Sequence, residues 1–370
     1  MTAFDRATAF LTIDVDAVVA NWRLIRDKVG ARCEAAAVVK ADAYGLGADR
    51  LAPALAAAGC RTFFVATIDE GIALRRTLSD ATIQVLGGPL PGSVGDLAGH
   101  RLTPVLNSLE QIGLWAGYAA ATGRRMPAAL HLDTGMSRLG LDVPAVARLA
   151  ADPSLLAGID PVLVMSHMAC ADEADHPKNP DQLQRFAALS GSLGLAARRS
   201  LGASSTIFLG PDYHFDLVRP GAALYGLNPT PDRPNPMAGV VRLHARILQV
   251  RDVDTPMTVG YGASHRVTRK GRVAIAAIGY ADGIFRSLGN RGFGVIEGER
   301  VPVVGRISMD LTTFDVSALA PERARPGAVI ELLGEHQSAD ALAGDAGTIG
   351  YEVLTALGRR YLRTYVGEAA

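Results

Sequence analysis

The segment Ala35–Gly47 reads AAAVVKADAYGLG, an apolar run with the character of a buried strand, then a lysine, then a turn that carries two glycines. Lys40 therefore stands at the C-terminal end of a strand. In a (β/α)8 barrel that end faces the active site, where apolar surroundings destabilise an ammonium and leave a nucleophilic amine near neutral pH. Such an amine is suited to forming an imine with an aldehyde. Two other readings compete with this one. A strand-end lysine commonly just leaves for solvent, and Gly45-Leu46-Gly47 could open a dinucleotide loop. The loop reading is weaker, because Arg50 stands where G-x-G-x-x-G needs its third glycine and the lysine intrudes between strand and loop. Position alone leaves the choice open.

Outward from this segment, β-type apolar runs alternate with amphipathic helical patterns between residue 12 and about residue 228. The strands expected are Glu34–Val39, Thr62–Ala66, Thr82–Leu86, Thr103–Leu106, Ala128–Leu132, Val162–Ser166, Leu201–Ser204 and Ala222–Tyr225. Helices are expected at Asp49–Ala58, Ser108–Ala121, Pro144–Ala151 and Asp181–Leu193, several opening on a Ser, Asp or Pro suited to a helix start. Eight strands with crossover helices indicate a closed (β/α)8 barrel of the TIM type. Pro229, Pro231, Pro234 and Pro236 then read as a linker that no helix can cross. Beyond it come β-rich segments at Leu243–Val250, Arg272–Ile278, Gly294–Ile296, Val301–Val304 and Ala328–Leu332, with a last helix at Gly350–Leu362. The expected organisation is a barrel over residues 1–235 and a smaller, mostly β domain over 236–370, to which the N-terminal strand could belong.

Composition narrows the function. A chain of 370 residues exceeds one ordinary domain, and 37 basic against 37 acidic residues give no electrostatic reason to expect nucleic acid or an anionic membrane surface. Cys33, Cys60 and Cys170 are odd in number and form no C-x-x-C pair, which fits a reducing cytoplasm and supplies neither a disulfide framework nor a metal-ligand set. Asp5, Asp14 and Asp16 precede any long apolar run, unlike a signal or transit peptide, and no stretch has the length of a membrane span.

Val39–Gly47, VKADAYGLG, resembles the pyridoxal phosphate attachment motif of bacterial alanine racemases, the two-domain fold-type III family. Further matches follow in the family's order: Leu132–Gly140 (LDTGMSRLG), Ser166-His167, Val218–Gly226 (VRPGAALYG), Val259–Gly262 (VGYG), Ile278–Gly283 (IGYADG), Gly305–Asp310 (GRISMD) and Ile349–Glu352 (IGYE). The resemblance implies pyridoxal 5'-phosphate held by Lys40 as an imine. It also implies two-base proton transfer at Cα between L- and D-alanine, supplying D-alanine for peptidoglycan, with Lys40 on one face and Tyr261 on the other. A phenol that titrates near pH 10 needs cationic or donor neighbours to act as a base, and Arg138 and His167 are the candidates. Around the cofactor, the resemblance assigns Arg138 to its phenolic oxygen and His167 to packing against it. Arg219 falls to the ring nitrogen. Tyr44, Ser204, the Gly221 and Ala222 amides and Tyr351 fall to the phosphate, although Ala203 stands where the family usually has Asn. Met309 and Arg138 are expected at the substrate, with Asp310 shaping that loop and Tyr280 lining the entrance beside Tyr351.

Arginine does not surrender its proton. Arg219 would therefore leave the ring nitrogen unprotonated and weaken the electron sink, which suits racemisation better than decarboxylation. Relatives often carry a carbamylated lysine seven residues before the motif arginine; here the residue is His131, so Arg138 is expected to be positioned by the imidazole or by an ion. The alternative activities are broad-specificity amino-acid racemisation and fold-type III decarboxylation, and a cofactor-carrying regulatory barrel is the alternative outside catalysis. The partners implied are a small amino acid and a second copy of the chain, in a homodimer with shared active sites.

Overall fold

The computed structural model describes residues 3–368. They form two compact units, one of Val18–Ala238 and the other of residues 3–17 with 239–368.

In the first unit a parallel sheet runs in chain order through Ala37–Val38, Thr62–Val65, Thr82–Val85, Thr103–Leu106, Met126–His131, Ile159–Met165 and Arg198–Ser200. Leu217–Val218 pairs in parallel with Glu34–Ala35, immediately ahead of the first of these strands. On its other side, Asp216 N donates to Arg199 O at 3.0 Å and Arg219 N to Gly202 O at 2.7 Å. These bonds close the sheet into a ring of eight. Such strands are buried on both faces, which is why they read as near-continuous apolar runs; Thr62–Val65 and Thr103–Leu106 are buried throughout. The helices start where local chemistry permits. Thr67 and Glu70 form a reciprocal capping box on Ile68–Thr77, Ser108 caps Leu109–Thr122, and Asp142 caps Val143–Ala151 with Pro144 in its first turn.

Two strand expectations are corrected. Ala222–Tyr225 is not the eighth strand but a single 3-10 turn, bounded by Gly226 at φ 84, and the eighth strand is Leu217–Val218. A short apolar run fits a buried strand and a buried turn equally well, and only pairing decides. Pairing in the seventh strand falls on Arg198–Ser200 rather than Leu201–Ser204. The charges that hid it are satisfied locally: Arg198 pairs with Glu34, and the Arg199 guanidinium lies over the Phe215 ring, 5.1 Å from its centre.

The second unit is built on the long strand Val241–Val253. It pairs antiparallel with Ala9–Asp14, Gly271–Ala276 and Val329–Leu333. Ala9–Asp14 is flanked on its other side by Leu362–Val366, in parallel. The expected terminal helix is shorter than its apolar pattern suggested: Gly350–Ala356 is helical, and Leu362–Val366 is a strand whose partner lies at the opposite end of the chain. The hairpin that pairs Phe293–Ile296 with Glu299–Pro302 shifts the expected Val301–Val304 strand by two residues.

Candidate active site

Lys40 follows the first barrel strand, half-buried at its C-terminal end. The four residues after it are all left-handed, with φ of 53, 56, 53 and 56° at Ala41, Asp42, Ala43 and Tyr44. L-residues resist that conformation by roughly 1–2 kcal/mol each, so the turn must be held by its surroundings. Ala43 N donates to Val39 O and Gly47 N to Asp42 O, each at 2.9 Å, while Asp42 Oδ1 accepts from Ala48 N at 2.8 Å. Tyr44 and Tyr225 stack tilted, 4.8 Å between ring centres, and the Tyr225 hydroxyl donates to Val38 O at 2.9 Å. Burial holds the Lys40 amine below the ordinary lysine range. Arg138 acts in the same direction, and Glu70 opposes both.

Arg219, 4% exposed, is the buried cation of this rim. Its Nη1 donates to Ser200 O at 3.0 Å and to Ser200 Oγ at 2.5 Å. Its Nη2 donates to Ser166 O at 2.5 Å and faces His167 Nδ1 at 3.5 Å. Nε keeps its hydrogen without an acceptor among the described residues. Desolvation lowers even this guanidinium, to about 10, so it remains a cation at neutral pH. Ser204 Oγ accepts from Gly221 N at 3.0 Å and Ala223 N at 3.2 Å. The Gly221 amide is therefore already bonded, while the Ala222 amide has no acceptor among the described residues. A Cβ on Gly221 would lie 2.4 Å from Tyr44 Oη, so only glycine permits this close approach.

His131 turns Nδ1 to Asn107 Oδ1 at 2.8 Å, and Arg138, exposed, has no hydrogen bond or ion pair among the described residues. Asp133, in the same loop, accepts from the amides of Gly135, Met136 and Ser137 at 2.9 to 3.1 Å. Burial, then Arg219, push the imidazole of His131 down to about 4 and that of His167 to about 3. Both are thus neutral in the folded chain at neutral pH. An unfolded imidazole takes up its proton near 6.5, so between about 6.5 and 4 the unfolded state binds more protons and stability should fall as pH falls. Thermal melts across this window should show Tm declining, and His131→Asn should flatten part of the slope. A wild-type Tm that stays level there contradicts the assignment.

Sequence reading missed the scaffold behind these groups. Ser166 Oγ donates to Leu132 O at 2.7 Å and meets Thr134 Oγ1 at 2.8 Å. Gln182, fully buried, donates to Thr134 Oγ1 and His167 O, each at 3.1 Å. Ser166 belongs to the Ser166-His167 motif, but nothing in the sequence marked Asn107 as the partner of His131, or Gln182 as that of Thr134 and the His167 carbonyl. Lys40, Arg138, His167, Ser204 and Arg219 all lie on loops at the C-terminal ends of barrel strands, with three cations and no uncommitted carboxylate among them. That rim suits an anionic ligand carrying a carbonyl for the amine.

The remaining expected site residues lie in the β unit. Tyr261, 70% exposed, tips the hairpin of Thr258–Val259 and His265–Arg266, and a Cβ on Gly305 would come 2.8 Å from Val259 O. Tyr280 and Met309 sit on two loops that pack backbone to backbone, Tyr280 N donating to Ser308 O at 3.1 Å and Ala281 N to Met309 O at 3.0 Å. Arg360 clamps both loops. It binds the Asp282 carboxylate with two donors at 2.7 and 2.8 Å and Asp310 Oδ1 at 2.6 Å, which fixes Asp310 as a structural carboxylate of this unit. Tyr351 is on the helix Gly350–Ala356 and, like Met309, is exposed.

The comparisons with known proteins agree in naming one family. A family model described as alanine racemase, N-terminal domain, matches residues 13–229, and one described as alanine racemase, C-terminal domain, matches 240–365. An alanine racemase of Rhodospirillum rubrum is 54% identical over 365 residues, covering 98% of this chain and 97% of its own. Another, of Acidiphilium cryptum, is 51% identical over 353 residues, covering 95% and 97%. The crystal structure of alanine racemase from Bartonella henselae with covalently bound pyridoxal phosphate superposes with a TM-score of 0.94 at 41% identity, covering 97% of this chain and all of that one. With both family models matched in order across the residues that build the lysine-bearing rim and the tyrosine-tipped hairpin, the chain belongs to the alanine racemase family.

Proposed function

We propose that the chain binds pyridoxal 5'-phosphate through Lys40 and interconverts L- and D-alanine. The observation that carries this reading is a depressed strand-end amine sharing one rim with a buried, multiply hydrogen-bonded Arg219. The rim fits the group. Lys40 offers the amine for the carbonyl, and Tyr44, the Ser204 hydroxyl and the uncommitted Ala222 amide offer a cradle for the phosphate, with Gly221 leaving room by its lack of a side chain and Tyr351 coming from the β unit. Arg138 fits the phenolic oxygen, His167 the ring face and the open Nε–H of Arg219 the ring nitrogen. When bound, pyridoxal phosphate supplies the delocalisation that acidifies an amino acid's Cα proton.

The residues do the rest. Lys40 Nζ takes or returns the proton on one face and Tyr261 Oη on the other, because inversion requires departure from one side and arrival on the opposite side. Arg219 keeps its own proton, so the ring nitrogen gains none from the protein, which favours reprotonation at Cα over decarboxylation. Met309 presents its backbone amide to the substrate carboxylate, and Asp310, held by Arg360, fixes that loop. Tyr280 and Tyr351 narrow the entrance towards small side chains. Tyr261, exposed at a hairpin tip of the unit that also exposes Tyr280, Met309 and Tyr351, supports a homodimer in which the β unit of one copy completes the barrel of the other. Cofactor binding thus falls to the barrel and substrate gating to the β domain. No helix among the described residues is long and apolar enough to cross a membrane, and we place the activity in the cytoplasm, supplying D-alanine for peptidoglycan.

Incubated with L-alanine and the coenzyme in deuterium oxide, the purified chain should produce D-alanine and exchange the Cα hydrogen for deuterium without releasing carbon dioxide. Release of carbon dioxide from an amino acid, with no D enantiomer formed, overturns the reading in favour of a decarboxylase.

A further inference from the structure

The first residue after Lys40 has its backbone acceptor outside its own turn. Ala41 N donates across the rim to Glu70 Oε1 at 2.7 Å, while the second oxygen of that carboxylate accepts from Ala66 N at 2.7 Å and Thr67 N at 3.2 Å. The bonds within Ala66–Glu70 are those of a capping box, completed by Thr67 Oγ1 accepting from Glu70 N at 3.3 Å. A capping box does not require the bond to Ala41. That bond ties the lysine-bearing turn to the next helix of the barrel.

The helix Ile68–Thr77 makes a rigid bracket. A Cβ on Gly71 would meet Leu102 Cδ1 at 2.9 Å, so the helix sits close against its neighbour. At the far end, the Arg75 guanidinium donates to the carbonyls of Leu78, Ser79, Ala81, His100 and Arg101. A cavity of about 480 Å³ adjoins the turn, lined by Val39, Ala41, Asp42, Glu70 and Leu74 among others, but not by Lys40 itself. Ala41 thus borders open space, and a charge-assisted hydrogen bond takes the place of packing there. The charged groups that act on the Lys40 amine are Glu70 from this helix and Arg138 from the loop after Met126–His131; Lys40 in turn acts on His167, after Ile159–Met165.

We propose that Glu70 is a positioning residue for Lys40, its carboxylate fixing the start of the left-handed turn and so the direction in which the amine leaves the strand. The proposal rests on Lys40 being the reactive lysine, and it adds a residue that acts on the reaction only through Lys40.

The test compares Glu70→Ala, Glu70→Gln and Thr67→Ala in the full chain. Thr67→Ala weakens the same helix cap without touching the bond to Ala41. Glu70→Gln keeps the shape but presents one acceptor oxygen where two are needed. Two readouts are taken: the rate and pH profile of Lys40 labelling by trinitrobenzenesulfonate on coenzyme-free chain, located by mass spectrometry, and kcat and KM for alanine on coenzyme-loaded chain. Both Glu70 variants should shift the labelling profile, and should lower kcat by roughly 10- to 100-fold as a misplaced group does. Their KM should stay within about threefold of wild type. Thr67→Ala should melt earlier yet keep the wild-type labelling profile and kcat. If the Glu70 variants and Thr67→Ala lose the same stability and all keep wild-type labelling, Glu70 is a helix cap and nothing more. The labelling comparison needs no coenzyme, so it judges the clamp even where loaded wild type fails to racemise alanine, a failure that would fall on the proposed activity instead. Should Glu70→Ala not fold, Glu70→Gln carries the same comparison.

Discussion

Subunits of Lys40→Ala and Tyr261→Phe, each inactive alone, should regain activity when mixed. Truncating Lys40 removes both the coenzyme tether and one of the two proton-handling groups, and a loss of about 10⁴-fold or more is expected, general acid–base catalysis alone being worth about 10²- to 10⁴-fold. Tyr261→Phe removes one hydroxyl from an exposed hairpin tip, and a loss of about 10²- to 10⁴-fold follows on the same ground. If each active site draws its lysine from one copy and its tyrosine from the other, a hybrid dimer holds one doubly damaged site and one intact site. Random exchange makes half of the dimers hybrids, so activity should return to roughly a quarter of wild type. Exchange verified by native mass spectrometry with no recovered racemisation would mean that each chain carries a self-contained site.

The second large effect is expected at Arg219, where charge and geometry can be separated. Arg219→Leu leaves Ser166 O without its donor inside the barrel rim and takes one of two partners from Ser200 O, which keeps Ser166 N, and from Ser200 Oγ, which keeps Leu217 O. A buried group left unsatisfied costs about 1–3 kcal/mol, so a loss of about that size is expected in denaturant unfolding. Racemisation should fall by about 10²-fold or more, the scale on which single preorganised donors act. Arg219→Lys keeps the cation but concentrates its donors on one atom, which cannot span Ser166 and Ser200 together. It should therefore recover part of the stability and little of the activity. A lysine variant with wild-type kcat would mean that charge alone is used here and that the fork has no role.

The barrel was legible because its strands are buried on both faces and stand out as apolar runs between amphipathic helices. The two strands misread, Arg198–Ser200 and Leu217–Val218, carry charge or are only two residues long, and they are defined by their ladder rather than by composition. The strand Leu362–Val366 was invisible for a related reason, since its partner, Ala9–Asp14, lies at the far end of the chain. At the site, Lys40 could be placed at a strand end from its own neighbourhood. The burial of Arg219 could not, because an arginine before a proline reads as an ordinary surface charge until its acceptors at the ends of two other strands are known. Thr67 and Glu70 announce a helix start at the proper spacing, but the sequence holds no trace of the bond from Glu70 to Ala41. Nor did it foretell that His131 would turn to Asn107. Spacing along a chain encodes local partners, and a rim assembled from successive loops is made mostly of distant ones.

The central position of Ala9–Asp14, between Val241–Val253 and Leu362–Val366, also sets an order of events at birth. This strand leaves the ribosome ahead of the barrel, yet neither of its neighbours exists until the whole barrel has been translated. At ordinary synthesis rates that interval is roughly tens of seconds. Throughout it, a nascent β-edge trails beside a barrel that already has every residue it needs. A strand made before the barrel thus finds its place only after it, and one edge stays open to chaperones, or to stray pairing with other nascent chains, until Leu362–Val366 has been made.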